Sequence, residues 1–370
     1  MRFLLQWQHV TPGSRQHGEA GLTQIITQLA GFEAAASAWE PQLLRVRLAK
    51  YEPELLDRLC LSGAVSWGRI SPHPRLAFSG ESDKARRIVP TSVAPISLFP
   101  REDGEWLMAA FAEGAAQAGP DPYGQLSAVA QDLRRALHER GASFFADLVR
   151  LTHHLPAEVE AGLWELVAAG LVTADGFDNL RALMDPRRRR AEGRERARRP
   201  RHTAGRWSLL RRETQHPAPG TQHFPAEAVA RQLLRRYGVV FRDLLVRESL
   251  VQSWRDLLVV YRKLELQGEL RGGRFVTGFV GEQFALPEAV EALRALRKSV
   301  GGPATGQEIK LSASDPLNLV GIILPGPKIP AVPTNFLIVK DGVVVRTVLR
   351  KQPEGMSDVP VSVVRRMSDR

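Results

Sequence analysis

The sequence predicts an α+β protein, mainly helical, with tandem winged-helix modules followed by a small C-terminal β-barrel or sheet. The main observation is a pattern that occurs three times: an apolar helical run ends at a glycine, Gly63, Gly170 or Gly268, and a short apolar strand follows. Glycine suits the left-handed residue that ends a helix, and this helix-to-strand step is how the third helix of a winged helix enters its wing. From about residue 311, prolines and β-branched runs replace helical periodicity, which predicts the β unit.

The composition is that of a globular protein with a basic balance. The chain has 370 residues, 44% hydrophobic and 25% charged, and a formal net charge of +11 that suits a polyanionic partner. Nine arginines and two glutamates between residues 187 and 201 supply +7 of this charge. No long apolar run and no signal-peptide pattern is present, so we expect no membrane partner and a cytoplasmic, nucleoid-associated protein. The single cysteine, Cys60, is expected to be a buried hydrophobe.

Changes in composition divide the chain into five predicted segments. Glycines and prolines around 116–124 end a first unit, and the arginine run is too poor in apolar residues to form a core. The segments are a winged helix with a long wing at 1–119, a second winged helix at 120–185, an Arg-rich disordered linker at 186–204, a third winged helix at 205–300 and the C-terminal β unit at 301–370.

Helical periodicity, caps and turn residues then predict the individual elements. Helices are predicted over 19–29, 38–49, 55–61, 125–140, 143–153, 156–169, 225–237, 254–266 and 287–298, with Ser143 as an N-cap and a short helical or extended tail over 177–184. Strands are predicted over 65–70, 93–99, 274–280, 336–339, 343–349 and 359–364. Asp341-Gly342 is a strong hairpin signal between two of these strands.

Short segments in collinear order along most of the chain carry a family resemblance. They include Trp7-Gln8-His9, Trp67-Gly68-Arg69, Gly205-Arg206-Trp207-Ser208, Arg236-Tyr237-Gly238, Gly273-Arg274-Phe275-Val276 and Asp315-Pro316-Leu317-Asn318. Together they resemble the C-terminal region of the large helicase-related (Lhr) family of bacterial ATP-dependent DNA-repair helicases. The resemblance implies winged helices and a β-barrel that self-associate, attached to a 3′ to 5′ helicase that acts on single-stranded DNA.

The nucleotide-binding motifs of such helicases are missing from this chain. It has no Gly-x-x-x-x-Gly-Lys-Ser/Thr loop and no Asp-Glu-x-His box, so we expect no cofactor here and no ATP hydrolysis. ATP and Mg would belong to the motor domains of the resembled family. The partners implied are single-stranded or duplex DNA and a homo-oligomer such as a tetramer.

Five residues are candidate DNA contacts. Trp67 and Arg69 share one face of a predicted strand, where an aromatic ring can stack on a base and a guanidinium can reach a phosphate. The alternative is a tryptophan that packs the wing onto its own helices. Arg271 and Arg274 flank Gly272-Gly273 at the predicted tip of the third wing, and Arg206 lies at the start of the third unit. We expect the first and third wings to face DNA and the second, with Asp175, to pack between them.

A second resemblance suggests an enzyme. The chain is also similar to the tandem winged-helix alkyl-purine and crosslink DNA glycosylases, in which a Gln-apolar-Gln triplet acts at the sugar, and Gln6-Trp7-Gln8 matches that triplet. Asp315 and Asp369 are candidate carboxylates for the same step. Surface glutamines and a turn role for Asp315 are the alternatives. No metal site is expected, because the adjacent histidines 153 and 154 point apart and have no cysteine partners.

Three functions therefore stay open on the sequence. The first is a DNA-binding, oligomerising C-terminal region of a repair helicase. The second is a metal-free glycosylase for uracil or an alkylated base. The third is a structural assembly module whose winged helices contact one another.

Overall fold

Three modules of one topology account for most of the chain in the computed structural model, which describes residues 1–71, 94–115, 126–184, 205–210, 224–248, 253–298 and 306–349. Each module has a helix, a short strand, two further helical segments and two strands that complete a three-stranded antiparallel sheet. This is the winged-helix arrangement, and the predicted α+β, mainly helical class is confirmed. Within the described ranges, no helix has the length and apolar character needed to cross a bilayer.

The first module carries a π-helical segment between its first two strands. Its elements are α2 (Gly18–Leu29), β1 (Ala34–Ala35), a π-helix (Trp39–Leu44) that continues into α3 (Arg45–Arg47), α4 (Pro53–Leu61), β2 (Val65–Gly68) and β3 (Pro95–Pro100). The strand β3 lies between β1 and β2, and Trp67 pairs with Leu98. Two helices flank the module in sequence: α1 (Arg2–Trp7) before it and α5 (Gly104–Ala115) after it.

The second module is completed by a strand from much later in the chain. Its elements are α6 (Ala128–Arg140), β4 (Ser143–Phe144), α7 (Phe145–Thr152), α8 (Pro156–Ala169), β5 (Val172–Ala174), α9 (Phe177–Met184) and β6 (Arg206–Leu209). Ser143 is a strand residue here and not the predicted N-cap, because its backbone pairs with Trp207.

The strand β6 corrects the predicted boundary at residue 205. We placed Gly205 to Leu210 at the start of the third unit, but β6 lies between β4 and β5 in the sheet of the second module. The predicted linker at 186–204, which lies outside the described residues, therefore has both of its flanking elements in the second module. In sequence this segment therefore lies within the second module and not between the second and third modules.

The third module places its return strand later than predicted. Its elements are α10 (Phe224–Tyr237), β7 (Val239–Val240), a 3-10 helix (Arg242–Arg247), α11 (Trp254–Leu266), β8 (Arg271–Gly273) and β9 (Gln283–Ala285), followed by α12 (Pro287–Lys298). The predicted return strand over 274–280 is instead the wing loop, because pairing with β8 begins only at Gln283.

The C-terminal unit is a three-stranded antiparallel sheet in its described part. Strands β10 (Glu308–Ser312), β11 (Phe336–Lys340) and β12 (Val343–Val348) follow one another in space, and Asp341 and Gly342 turn the hairpin with φ of 48° and 80°. The sequence predicted either a barrel or a sheet here, and the described residues form a sheet. The predicted strand over 359–364 lies outside them.

The three glycines of the repeated pattern end their helices as predicted. Gly63, Gly170 and Gly268 have φ of 77°, 76° and 81°, which is the left-handed region where a Cβ is unfavourable. The strands β2, β5 and β8 begin two or three residues later. The repeat is therefore a reliable signature of the passage from third helix to wing.

Each of two hydrophobic clusters contains residues from more than one module. The first joins the first and second modules and contains Trp39, Trp67, Trp164 and Trp207. The second joins α1 and α5 to the third module and the β unit. The helix α1 at the start of the chain thus packs against α12, which follows the third module in sequence. The modules therefore share hydrophobic cores and are not independently packed domains.

Candidate nucleic-acid interface

The third helix of the third module, α11, presents a mixed basic and apolar face to solvent. Leu257, Tyr261 and Leu264 are its buried residues. On the opposite side, four exposed residues spaced by three or four positions share one face: Arg255, Val259, Arg262 and Leu266. Val259 is 67% exposed and Leu266 is 90% exposed. An exposed third helix is what a winged helix places against nucleic acid.

The wing of the same module extends this basic surface. Arg271 and Arg274 are exposed, and within the described residues neither makes an ion pair or a side-chain hydrogen bond. Gly278 and Gly281, with φ of 89° and 99°, turn the wing loop back toward β9. Both guanidinium groups are therefore open to solvent, and their predicted phosphate contacts stay a prediction.

One arginine of this surface is ion-paired within the module. Arg262 on α11 donates to both carboxylate oxygens of Glu282 in the wing, at 3.1 and 2.7 Å. Both side chains are about half exposed, so the pair is weak and easily exchanged. Glu282 thus engages the guanidinium of Arg262 within the module itself.

Trp67 does not contribute to a DNA surface, which corrects our prediction. Its side chain is fully buried and meets Phe177 and Trp207 edge to face, with ring centroids 6.2 and 6.1 Å apart. These partners belong to the second module, so Trp67 packs the two modules together. The alternative prediction, that the Trp67 ring packs inside the protein, agrees better with the structure. The ring packs on a neighbouring module, however, and not on the helices of its own module.

Arg69 is also engaged within the protein. Its guanidinium donates to the carbonyl of Ala168 at 3.0 Å, and its side chain is almost fully buried. Burial lowers the pKa of this guanidinium, whose Nε also donates to the carbonyl of Ser71 at 3.2 Å. The predicted phosphate contact is therefore wrong. Arg206 is exposed but held by Asp175 at 2.8 Å, so any DNA contact would compete with that ion pair.

The third helices of the first two modules are covered or acidic. In α8, residues 162 to 169 are all buried, because this helix forms the common core of both modules. In α4, Asp57 accepts from Arg181 of α9 at 2.8 Å, and Glu54 is exposed beside it. The third helix of the second module is therefore covered, and that of the first module carries acidic side chains on its accessible side.

The predicted catalytic triplet is divided between two environments. Gln6 is exposed, whereas Gln8 is completely buried. Gln8 donates to the carbonyl of Arg236 at 2.9 Å and accepts from Arg47 at 2.9 Å. Arg47 in turn forms a bidentate ion pair with Asp315, at 2.7 and 2.9 Å, with both side chains fully buried. Water and substrate cannot reach Gln8 or Asp315, so their predicted catalytic roles are corrected to structural ones.

Gln6 lies instead in an open groove of about 1120 Å³ between α1, α2, α10 and α12. The groove lining combines apolar side chains such as Phe3 and Trp7 with the carboxamides of Gln16 and Gln24 and the hydroxyls of Thr23 and Thr27. His9, Arg15 and Arg235 also line it. Burial lowers the pKa of His9, whose Nδ1 lies 3.1 Å from the carbonyl of Ser14. Asp369, the other candidate carboxylate, lies outside the described residues.

Sequence reasoning missed the buried polar junction around Phe32. Arg236 and Arg247 lie over the ring of Phe32 at 5.5 and 5.0 Å, and Arg236 is ion-paired with Glu248. Arg247 also donates to the backbone carbonyl of Asp315 at 2.9 Å. Basic residues inside apolar segments, such as Arg47 in Arg45-Val46-Arg47-Leu48, were the available signal.

Neither a metal centre nor a reactive thiol emerges from the described ranges. Among those residues, no group of three or more histidine, cysteine, aspartate or glutamate side chains could hold a metal ion. Burial raises the pKa of the Cys60 thiol to about 12, so the thiolate is not formed near neutral pH.

Comparisons with known proteins agree with this geometry. Models of the third and fourth winged-helix domains of large helicase-related proteins match residues 1–82 and 219–305. Two segments of the chain are therefore similar to winged-helix domains of Lhr proteins. The predicted resemblance to the C-terminal region of the Lhr family is confirmed.

Two curated Lhr proteins show the extent of the similarity. The chain is 32% identical to the Lhr helicase/uracil glycosylase of Escherichia coli over 86% of its own length and 20% of that protein. It is 31% identical to the Lhr helicase/probable uracil glycosylase of Mycolicibacterium smegmatis over 88% of its length and 21% of that protein. The chain thus spans about a fifth of the length of these relatives.

The segments that carried the Lhr resemblance meet in space. Trp7-Gln8-His9 ends α1, and the backbone carbonyls of Arg235 and Arg236 accept hydrogen bonds from Trp7 and Gln8 at 3.0 and 2.9 Å. Asp315 reaches the same place through Arg47. Three of these segments therefore lie where the N-terminal helix, the third module and the β unit are held together.

Proposed function

We propose that this chain is the DNA-binding region of an Lhr-type helicase and that its third winged helix makes the main contact. The observation that carries the proposal is the exposed surface of α11 and its wing, where Arg255, Arg271 and Arg274 have no ion-pair partner within the described residues. Unpaired arginines on a third helix and wing suit phosphate recognition. The motor activity, with ATP and Mg, belongs to segments that this chain does not contain.

Binding to fluorescent single-stranded and duplex DNA across a salt series tests the proposal. Arg255→Ala, Arg271→Ala and Arg274→Ala should each weaken binding, and each lost phosphate contact should lower the slope of log K against log salt by roughly 0.7–0.9. Arg140→Ala is the matched control, because Arg140 is exposed at the end of a helix in the second module. Unchanged affinity of the triple variant would contradict the proposal.

Self-association is a further part of the proposed function. Within the described residues β12 pairs only with β11, and its Val343 and Val345 are 56% and 42% exposed. An edge strand with exposed valines suits pairing with a second copy. Sedimentation velocity should give an oligomer such as a tetramer, and Val345→Lys should shift it toward the monomer. An oligomer with no affinity for DNA would instead favour the purely structural function.

Base removal from DNA is the second candidate function. Both curated relatives carry uracil glycosylase in their names, and Gln6 lies in the groove described above, beside other carboxamides and hydroxyls. A carboxamide in such a groove can hold a water molecule or a base edge. The carboxylate for the step would be Asp369, since Asp315 is sealed within the core.

Incubation with a labelled oligonucleotide that contains uracil, followed by alkaline cleavage, tests this second function. Gln6→Ala and Asp369→Asn should each abolish cleavage, whereas Gln267→Ala, an exposed glutamine on the third module, should leave it unchanged. Intact strands with the unmodified chain after long incubation would exclude the activity.

A further inference from the structure

The wing of the third module is held by one buried carboxamide. Gln283 is the first residue of β9, its side chain is 1% exposed, and it is the last residue paired with β8, opposite Gly273. Its Oε1 accepts from the backbone amides of Phe275 and Val276, both at 2.8 Å, and its Nε2 donates to the carbonyl of Val276 at 2.8 Å. The side chain thus uses three hydrogen bonds on two consecutive loop residues.

These hydrogen bonds replace the strand pairing that ends at Gly273. The backbone groups of 275 and 276 would otherwise need water or another strand, and a buried carboxamide supplies both acceptor and donor. The far end of the loop is anchored separately, because the ring of Phe279 packs on Phe241 with centroids 4.8 Å apart. The wing therefore has a defined shape before any ligand binds.

The peptide bound by Gln283 is the one that follows Arg274. The amide of Phe275 belongs to the same peptide plane as the carbonyl of Arg274, so the hydrogen bond at 2.8 Å fixes the backbone from which the Arg274 side chain projects. Arg271, on β8, is held by strand pairing with Ala285 and does not depend on Gln283 in this way.

We propose that Gln283 is a positioning residue for nucleic-acid recognition, acting by pre-setting the wing so that Arg274 meets a phosphate without prior ordering. This inference rests on the proposed DNA contact of the third winged helix. A pre-ordered loop avoids the entropy lost when a flexible loop and side chain are immobilised on binding. Loss of this ordering should weaken DNA binding by about two- to tenfold.

A double-mutant cycle on the full chain tests the inference. Gln283→Met, which keeps the length of the side chain but removes its hydrogen bonds, should weaken DNA binding in the unmodified background and have little further effect when combined with Arg274→Ala. In the matched cycle with Arg255→Ala on α11, the two effects should add. Hydrogen exchange should become faster at the amides of 275 and 276, and Gln283→Glu, which retains the acceptor, should restore part of the protection.

The outcomes separate this inference from the proposed function. Effects of Gln283→Met and Arg274→Ala that simply add would overturn the positioning role, as would faster exchange with unchanged affinity. Unchanged binding by Arg274→Ala would also overturn it, since Gln283 would then have no contact to position. The proposed function would in that case still be decided by Arg255 and Arg271. If Gln283→Met fails to fold, Gln283→Glu serves in the same two cycles, with a smaller effect expected.

Discussion

At the scale of single residues, the least expected feature is the fully buried ion pair between Arg47 and Asp315. Removal of two charges from water is costly, and the hydrogen bonds that the two groups make offset part of that cost, although Arg47 Nε has no hydrogen-bond partner within the described residues. Here Arg47 also donates to the carbonyl of Leu43 at 3.0 Å and to Gln8, while Asp315 accepts from the amide of Leu317 at 2.9 Å. The pair joins residues 268 positions apart and so fixes the β unit on the first module.

Removal of one partner should therefore destabilise the protein strongly. Arg47→Met or Asp315→Asn leaves the other charge buried without its partner, and we expect a loss of about 3–5 kcal/mol in the free energy of unfolding. The double variant Arg47→Met with Asp315→Leu should be less destabilised than the sum of the single variants. Urea denaturation measures this, with Arg231→Ala as the exposed control at below about 1 kcal/mol. Single variants as mild as the control would contradict the interpretation.

His9 gives the N-terminal segment a pH dependence. Burial holds the pKa of His9 below its usual 6.5, so the folded state takes up a proton on this imidazole less readily than the unfolded chain does. As the pH falls below about 6.5, the unfolded chain takes up a proton that the folded chain resists, and stability is lost. The melting temperature should therefore drop between pH 7.5 and 5.5 by more than it does for His9→Asn. Asparagine suits this position because φ is 60°. Parallel pH profiles for the two proteins would exclude the effect.

At the scale of elements, the third wing combines free arginines with one that is already paired. Glu282 holds Arg262 in an exposed ion pair, and the two strands of the wing are only three residues each. An acidic residue at this position opposes phosphate binding twice, because it occupies Arg262 and repels the backbone of DNA.

Glu282→Gln should therefore strengthen DNA binding. We expect an increase in affinity of a few fold at low salt, which diminishes as salt screens the charges. Fluorescence anisotropy measures it, and Glu139→Gln, an exposed change on α6 in the second module, is the control. Weaker binding by Glu282→Gln would show that the ion pair supports the wing and does not compete with DNA.

Local elements were largely predictable from the sequence, because periodicity, prolines and glycines act within a few residues. The helices α8 and α11 begin and end where the pattern placed them, and Asp341-Gly342 turns its hairpin as predicted. What could not be predicted was which strand pairs with which. The strand β6 is separated from its partners by the arginine run, and no local signal links Trp207 to Ser143. The same limit explains Trp67, whose partners come from another module.

At the scale of the whole molecule, the two cores make the modules mutually dependent. The first module shares its core with the second, and its flanking helices α1 and α5 share theirs with the third module and the β unit. Gln28 of the first module donates to the carbonyl of Trp7 at 2.9 Å, and Gln232 of the third donates to Gln28 at 2.9 Å. The DNA-binding surface proposed for the third module is thus rigidly placed by parts of the chain more than 200 residues away.

The strand β6 has a consequence for fragments of the protein. A chain cut at an engineered protease site at Gly193 should remain a single particle, because the C-terminal piece keeps β6 in the sheet of the N-terminal piece, and α1 stays packed on the third module. The halves should co-elute in gel filtration and separate only in denaturant. Two independent peaks under native conditions would contradict this. Expressed separately, the two halves should therefore reassemble, so that the segment at 186–204 would be a suitable point for splitting and labelling the molecule.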